Sequence, residues 1–172
     1  MMNHEATNGH AVHRADAGEL SVVVECHALV CAFGLSCVRR LVLPAAVREV
    51  GGAIVESDNE RYAAWDLGVL FGLRPLTRAW ALLDIPYGGS SVSIALRTGA
   101  CLVVQRIAPE TSLPAAAFRA RGIAFRGAFD AGAVLPDRVA AGTVGIVIDP
   151  ARLFEPSELS TSVARLARTE GR

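Results

Sequence analysis

Four cysteines and four histidines are the residues in this chain best suited to hold a metal ion, and their spacing bears on whether they do. His10-x-x-His13 stands near the N-terminus, and Cys26-His27 is followed by Cys31 and Cys37. Structural zinc sites bring ligands together as close pairs on tight turns. Here the successive cysteines Cys26, Cys31 and Cys37 have four and five residues between them. They lie in strand-like runs whose side chains alternate between faces. With Cys101 they read as reduced, mostly buried thiols, and no metal is expected.

The nucleophiles lead no further. Ser90 and Ser91 close Gly88-Gly89-Ser90-Ser91, which lacks the G-x-S-x-G elbow and does not lie between a strand and a helix. No phosphate-binding lysine follows Gly51-Gly52. Three of the four histidines lie in the first 18 residues, leaving His27 as the candidate ordered base. No nucleophile has an activating neighbour in the pattern, so no catalytic residue and no cofactor is expected. Among the acids, Glu56, Asp58 and Glu60 share parity, so a strand through them would show three carboxylates on one face. Such a face binds a cation or a basic partner, or is simply solvated. Asp66 is different: it closes an apolar run, where Asp caps a following turn.

Composition bounds the fold that must position these groups. Of 172 residues 52% are hydrophobic and 20% charged, as for a well-buried globular chain, and the formal net charge is zero. That balance argues against electrostatic binding to nucleic acid or a membrane surface. All 17 basic residues are arginine. No apolar run reaches the roughly 20 residues of a membrane span, and the start lacks the basic-then-apolar order of a secretory signal. A cytoplasmic protein is expected.

Residues 1–18 lack apolar periodicity and are read as a disordered tail. From Leu20 the chain is strand-like, through "LSVVVECHALVCAFGL", a turn at "SCVRR", and "LVLPAAVREV" interrupted by Pro44. Strands are expected at Leu29–Leu35, Leu41–Leu43, Arg78–Ile85, Val92–Leu96, Cys101–Gln105 and Thr143–Ile148. "SDN" reads as turn chemistry, Thr98-Gly99 as a turn, and "PETSLPAAAFRARG" as a loop with a short helical piece. The segment after Pro156 is the one convincing helix. Ser157 serves as its cap, and Leu159, Val163 and Leu166 fall on one face. Arg165 and Arg168 stand near its C-terminal end, where the helix dipole favours positive charge.

Four segments, in this order, resemble the CheW family of chemotaxis adaptors. "LVCAFGLSCVRRLVLPAAVREV" is similar to the family's opening hairpin and "lP…V.eV" segment, and "YAAWDLGVLFGL" to its "vPvvDLr..fGl". "VSIALRTGACLVVQRI" resembles its "valvVD.V.gv" hairpin, and "GTVGIVIDPARLF" its closing strand. The resemblance spans roughly residues 25 to 155. It implies a mainly β fold of two interlocked five-stranded SH3-like barrels over residues 19–155, with a C-terminal helix over 156–172. It also implies no catalysis, since members couple chemoreceptor tips to the histidine kinase CheA. Val47 and Glu49 match the family's partner-contact positions. "FGLSCVRRLVL" then reads as a scaffold hairpin filling the first barrel, and "PAAVREV" as the partner surface.

This sequence departs from the family beside those positions. The stretch from Glu49 to Asp66 is shorter, and the Asn-Leu-Arg-Gly turn is replaced by Ser57-Asp58-Asn59-Glu60, so the family's arginine has no counterpart. The acid of the "VD" pair gives way to Leu96-Arg97. The neighbourhood therefore reads as an acidic strip, with Glu49, Glu56, Asp58 and Glu60 against Arg48 and Arg61, suited to a partner with a basic patch. The partner-binding residues indicated are Val47, Arg48, Glu49, Asp58 and Glu60, and the partners a CheA-like histidine kinase, a chemoreceptor tip or a divergent protein. Two alternatives stand beside this reading. One is a CheW-like module outside receptor arrays, in polar localisation or motility-complex assembly. The other is a small β-barrel enzyme or ligand-binding domain with His27, Cys31 or Asp66 in a cleft.

Overall fold

Val22, Val23 and Val24 are all fully shielded from solvent, so both faces of the strand that carries them are covered. A computed structural model describes residues 18–110 and 124–170 and shows how. The strands are β1 (Glu19–Cys26), β2 (Leu29–Gly34), β3 (Val38–Val42), β4 (Arg48–Val50), β5 (Ile54–Ser57) and β6 (Glu60–Asp66). They continue as β7 (Ala79–Tyr87), β8 (Ser90–Thr98), β9 (Cys101–Ile107), β10 (Phe125–Asp130) and β11 (Val144–Ile148). Short helices α1 (Leu67–Leu70) and α2 (Ala131–Val134) follow β6 and β10, and α3 (Pro156–Glu170) ends the chain.

The fold is mainly β, two SH3-like barrels and a C-terminal helix. The first sheet runs β10-β11-β2-β1-β9, and the second β3-β7-β8-β6-β5-β4, whose sixth strand is the three-residue β4. Residues 38–98 build the whole second sheet, while the segments before and after build the first. The barrels are interlocked in this sense. Each sheet also holds one parallel pair, β2 with β11 and β6 with β8, that joins distant parts of the chain.

Three apolar clusters take up the covered strand faces. Val22, Val24, Cys31 and Phe33 of the first sheet meet Leu83, Ile85, Ile94 and Leu96 of the second in the core between them. Val23, Val30, Ala32, Phe129 and Val147 fill the inside of one barrel. Val55, Tyr62, Trp80, Leu82 and Ala95 fill the other, with Val42 and Val47 packed against them. Runs such as "SVVVEC" are therefore apolar at consecutive positions instead of alternating.

Two expected hairpins are crossings between sheets. β2 belongs to the first sheet and β3 to the second, with a 3-10 turn at Leu35–Cys37 between them, so "FGLSCVRRLVL" is not a hairpin. "SCVRR" is also not simply a turn, since Arg39 and Arg40 lie within β3 at the sheet's edge, where charged side chains are tolerated. The hairpin at this end of the chain is β1–β2, turning at His27-Ala28 with His27 at φ 56°. Likewise β8 and β9 part at Gly99 into different sheets. Gly99 lies against the end of β1, where its N–H donates to the Glu25 carbonyl at 2.8 Å and a Cβ would collide with that carbonyl.

Helix α3 starts at Pro156, so Ser157 lies inside its first turn instead of capping it. The Glu158 carboxylate reaches back to accept the Glu155 N–H at 2.8 Å. Leu159 and Ser162 are buried and Leu166 is half-buried, but Val163 faces solvent. The helix is held by Trp65 of β6, whose Nε1 donates to Ser162 Oγ at 2.9 Å while its ring packs on Phe154 and under Arg165. Among the described residues no helix is long and apolar enough to cross a membrane. The expected tail, apart from Gly18, and the loop from 111 to 123 lie outside the described residues.

Candidate partner-binding surface

The hairpin of β5 and β6 turns on Asp58 and Asn59, both in the left-handed region at φ 49° and 65°. That is the pattern of a two-residue turn whose twist matches the flanking strands, and Asp and Asn are suited to it. The turn breaks the continuous strand that shared parity had suggested. Glu56 ends up on β5, Asp58 in the turn and Glu60 on β6, and the three carboxylates go to different partners.

Register assigns faces. Arg48, Glu56 and Arg61 are cross-strand partners on β4, β5 and β6 and share the outer face. Arg48 and Arg61 each donate from Nε to Glu56 at 3.0 Å. The Arg48 bond chiefly, helped by Arg61, holds the Glu56 carboxyl below its usual value. What this face presents is cationic, for Arg48 is 74% and Arg61 40% exposed while Glu56 is 18% exposed.

Glu49 pairs in register with Val55, whose side chain is inside the barrel, so Val47 and Glu49 share the inward parity. Val47 is half-buried against the barrel interior. Glu49 stands at the barrel mouth and accepts from Arg97 Nη2 at 2.6 Å. Arg97 lies on β8, opposite Trp80 of β7, and its guanidinium sits 4.5 Å from the centre of that ring. β8 and β4 are separated in the sheet by β6 and β5, so the ion pair spans the mouth.

The opposite end of the barrel is closed by a second network. Arg40 pairs with Asp58 and donates to Ser57 Oγ at 2.9 Å. Arg39 pairs with Glu60 at 2.9 Å and with Asp84 at 3.2 Å. The Tyr62 hydroxyl donates to Glu60. Burial of the phenol first, then that hydrogen bond, pushes Tyr62 up to about 12, so it is a proton donor at neutral pH. The bonds from Tyr62 and then Arg39 hold Glu60 below its usual value.

No family model matches the sequence, and no curated protein matches it. Among solved structures the chain is similar to the scaffolding protein TtCheW from Thermoanaerobacter tengcongensis. The TM-score is 0.58, over 85% of this chain and 94% of that one, at 15% sequence identity. The fold is CheW-like. The likeness is one of backbone architecture; in this chain "YAAWDLGVLFGL" lies on β6, α1 and the residues after it, and "GTVGIVIDPARLF" on β11 and the turn after it.

On this CheW-like frame the structure places Glu49 beside Arg97 at the mouth, Val47 against the barrel interior, Arg48 on the outer face, and Asp58 and Glu60 in the network around Arg39 and Arg40. It overturns the acidic strip. Arg39, Arg40 and Arg97, left out of the strip read from sequence, join Arg48 and Arg61, so five guanidiniums face Glu49, Glu56, Asp58, Glu60 and Asp84. Arg39 and Arg40 were hidden by the turn reading. Arg97 had one visible signal, a lone charge in the apolar strand "VSIALRT", at a position sharing parity with the inward-facing Ala95.

His27, Cys31 and Asp66 all have structural work. Asp66 caps α1 through Oδ1, which accepts from the Val69 N–H at 3.1 Å, as its place in the sequence suggested. Its Oδ2 accepts from the Leu76 N–H at 2.8 Å. His27 Nε2 donates to the Arg74 carbonyl at 2.6 Å, a second tether for the same loop. Gly68 sits between the tethers, where a Cβ would collide with the Arg74 carbonyl. Cys31 is fully buried in the inter-sheet core, and the hydrogen bond it donates to Cys26, then burial, pushes its thiol well up. Among the described residues no group of three or more His, Cys, Asp or Glu is placed to hold a metal ion.

Proposed function

We propose that this protein is a non-catalytic adaptor of a chemosensory-type signal transduction pathway, coupling a CheA-like histidine kinase to chemoreceptors or to a divergent partner. The observation that carries the reading is the CheW-like pair of interlocked barrels, similar to a scaffolding protein along nearly its whole length. The chemistry-bearing side chains support it, since Asp66 and His27 hold a loop and Cys31 fills the core. The adaptor works by presenting a rigid surface, and the cytoplasm is where such a pathway operates. Its partner-binding residues are Val47, Arg48, Glu49, Asp58 and Glu60. Because each of these charges already has an opposite charge beside it, recognition rests on shape, apolar contact and exchange of ion pairs, with a modest salt dependence.

The test is calorimetric titration against a CheA-like regulatory domain and a receptor cytoplasmic fragment from the same organism, at low and high salt. Saturable binding to at least one is expected, weakened by Glu49→Arg and by Val47→Ala. Melting curves separate lost contact from lost packing, because Val47 also touches the barrel interior. No binding to either probe would overturn the proposal.

A further inference from the structure

We infer that Arg97 is the recognition element of this partner surface, taking a carboxylate from the partner while Val47 takes an apolar side chain beside it. The inference rests on the adaptor reading above. A guanidinium carries five N–H donors in a fixed fork. Among the described residues the one polar partner of Arg97 is Glu49, which engages Nη2 alone. Nε, Nη1 and the second hydrogen of Nη2 remain, so one two-donor edge, Nη2 with Nε or with Nη1, is left for a further acceptor.

Placement makes these donors useful. The Arg97 side chain is 24% exposed, with its guanidinium carbon over the Trp80 ring and Nη2 held by Glu49. The fork is held before any partner arrives, so little rotamer entropy is lost on binding. Carboxylate is the chemistry that matches a planar pair of donors in two-point contact. A cationic partner group would have to approach Glu49 within reach of Arg97 and meet like charge there. Val47 lies two residues before Glu49 with the same inward parity, so an acid flanked by an apolar residue could engage both.

The experiment uses the full chain and the same two probes, the kinase regulatory domain and the receptor fragment. Four variants are compared with the wild type: Arg97→Gln, Arg97→Lys, Glu49→Gln, and the exchange Glu49→Arg with Arg97→Glu. Removing a charge-assisted hydrogen bond predicts about a tenfold or greater loss of affinity for Arg97→Gln. A smaller loss is expected for Arg97→Lys, and also for Glu49→Gln, which loosens the fork but leaves its donors in place. The exchange variant keeps an internal ion pair and loses only the seat on Trp80, so its melting temperature falls less than that of Arg97→Gln, yet it binds as weakly as Arg97→Gln.

If the exchange variant binds like wild type, the pair matters only within the fold and the inference falls. It falls equally if Glu49→Gln loses as much as Arg97→Gln, which would assign recognition to the acid. Wild-type binding with full binding by Arg97→Gln sinks this inference alone. Failure of the wild type to bind either probe sinks the adaptor reading, and this inference with it.

Discussion

Removing the Arg97 guanidinium tests the barrel-mouth geometry without any partner. Two contributions are lost in Arg97→Ala. One is the ion pair with Glu49, at 2.6 Å and with the acid 46% exposed. Exposed pairs contribute about 0.2–1 kcal/mol, and partial cover of the arginine puts this one near the upper end. The other is the seat on the Trp80 ring at 4.5 Å, worth about 0.5–1 kcal/mol near a surface. The sum is about 1.5–2 kcal/mol for Arg97→Ala and about 1 kcal/mol for Glu49→Ala. The double variant should show a coupling of about 0.5–1 kcal/mol. For a folded unit of this size 1 kcal/mol moves the melting temperature by roughly 2–4 °C. Urea unfolding of the four proteins of the cycle measures all three values. A coupling below about 0.2 kcal/mol, or equal costs for both single variants, would refute the pairing and the stacking respectively.

Three further outcomes are expected. Asp66→Ala should cost about 2 kcal/mol by urea unfolding, because it removes both the cap on α1 and the acceptor for the Leu76 N–H. Tyr62, raised from 10.0 to about 12, contributes stability that is fully present below pH 10 and lost as pH rises from 10 towards 12; Tyr62→Phe should flatten that decline in alkaline melting curves. Glu56 and Glu60, lowered from 4.5, stabilise the fold above that pH and lose the contribution as pH falls below it, so Arg48→Ala should weaken the acid dependence.

Much of the architecture was readable because its signals are local. Alternating and continuous apolar runs mark strands, Asp58-Asn59 marks a hairpin, and Asp66 after an apolar run marks a cap. Which strands pair was not local. β2 and β3 are joined by a short turn, yet belong to different sheets, and nothing in "FGLSCVRR" says so. His27 carries a left-handed turn that glycine or asparagine would have announced, so the β1–β2 hairpin is not legible in the strand-like run after Leu20. The candidate site suffered for the same reason. Glu49 and Arg97 lie far apart in sequence, and only the order β8-β6-β5-β4, curled into a barrel, brings them across one mouth. Counting charges along the segment gave an acidic strip, whereas the sheet supplied the missing arginines from β3 and β8.

An adaptor must hold two partners at once, and sedimentation velocity measures that directly. The full chain is mixed with a CheA-like regulatory domain and a receptor cytoplasmic fragment from the same organism, each at a concentration above its binary dissociation constant. The account predicts a species containing all three, absent when the chain is left out. Binary complexes that exclude one another, or no complex at all, would contradict it.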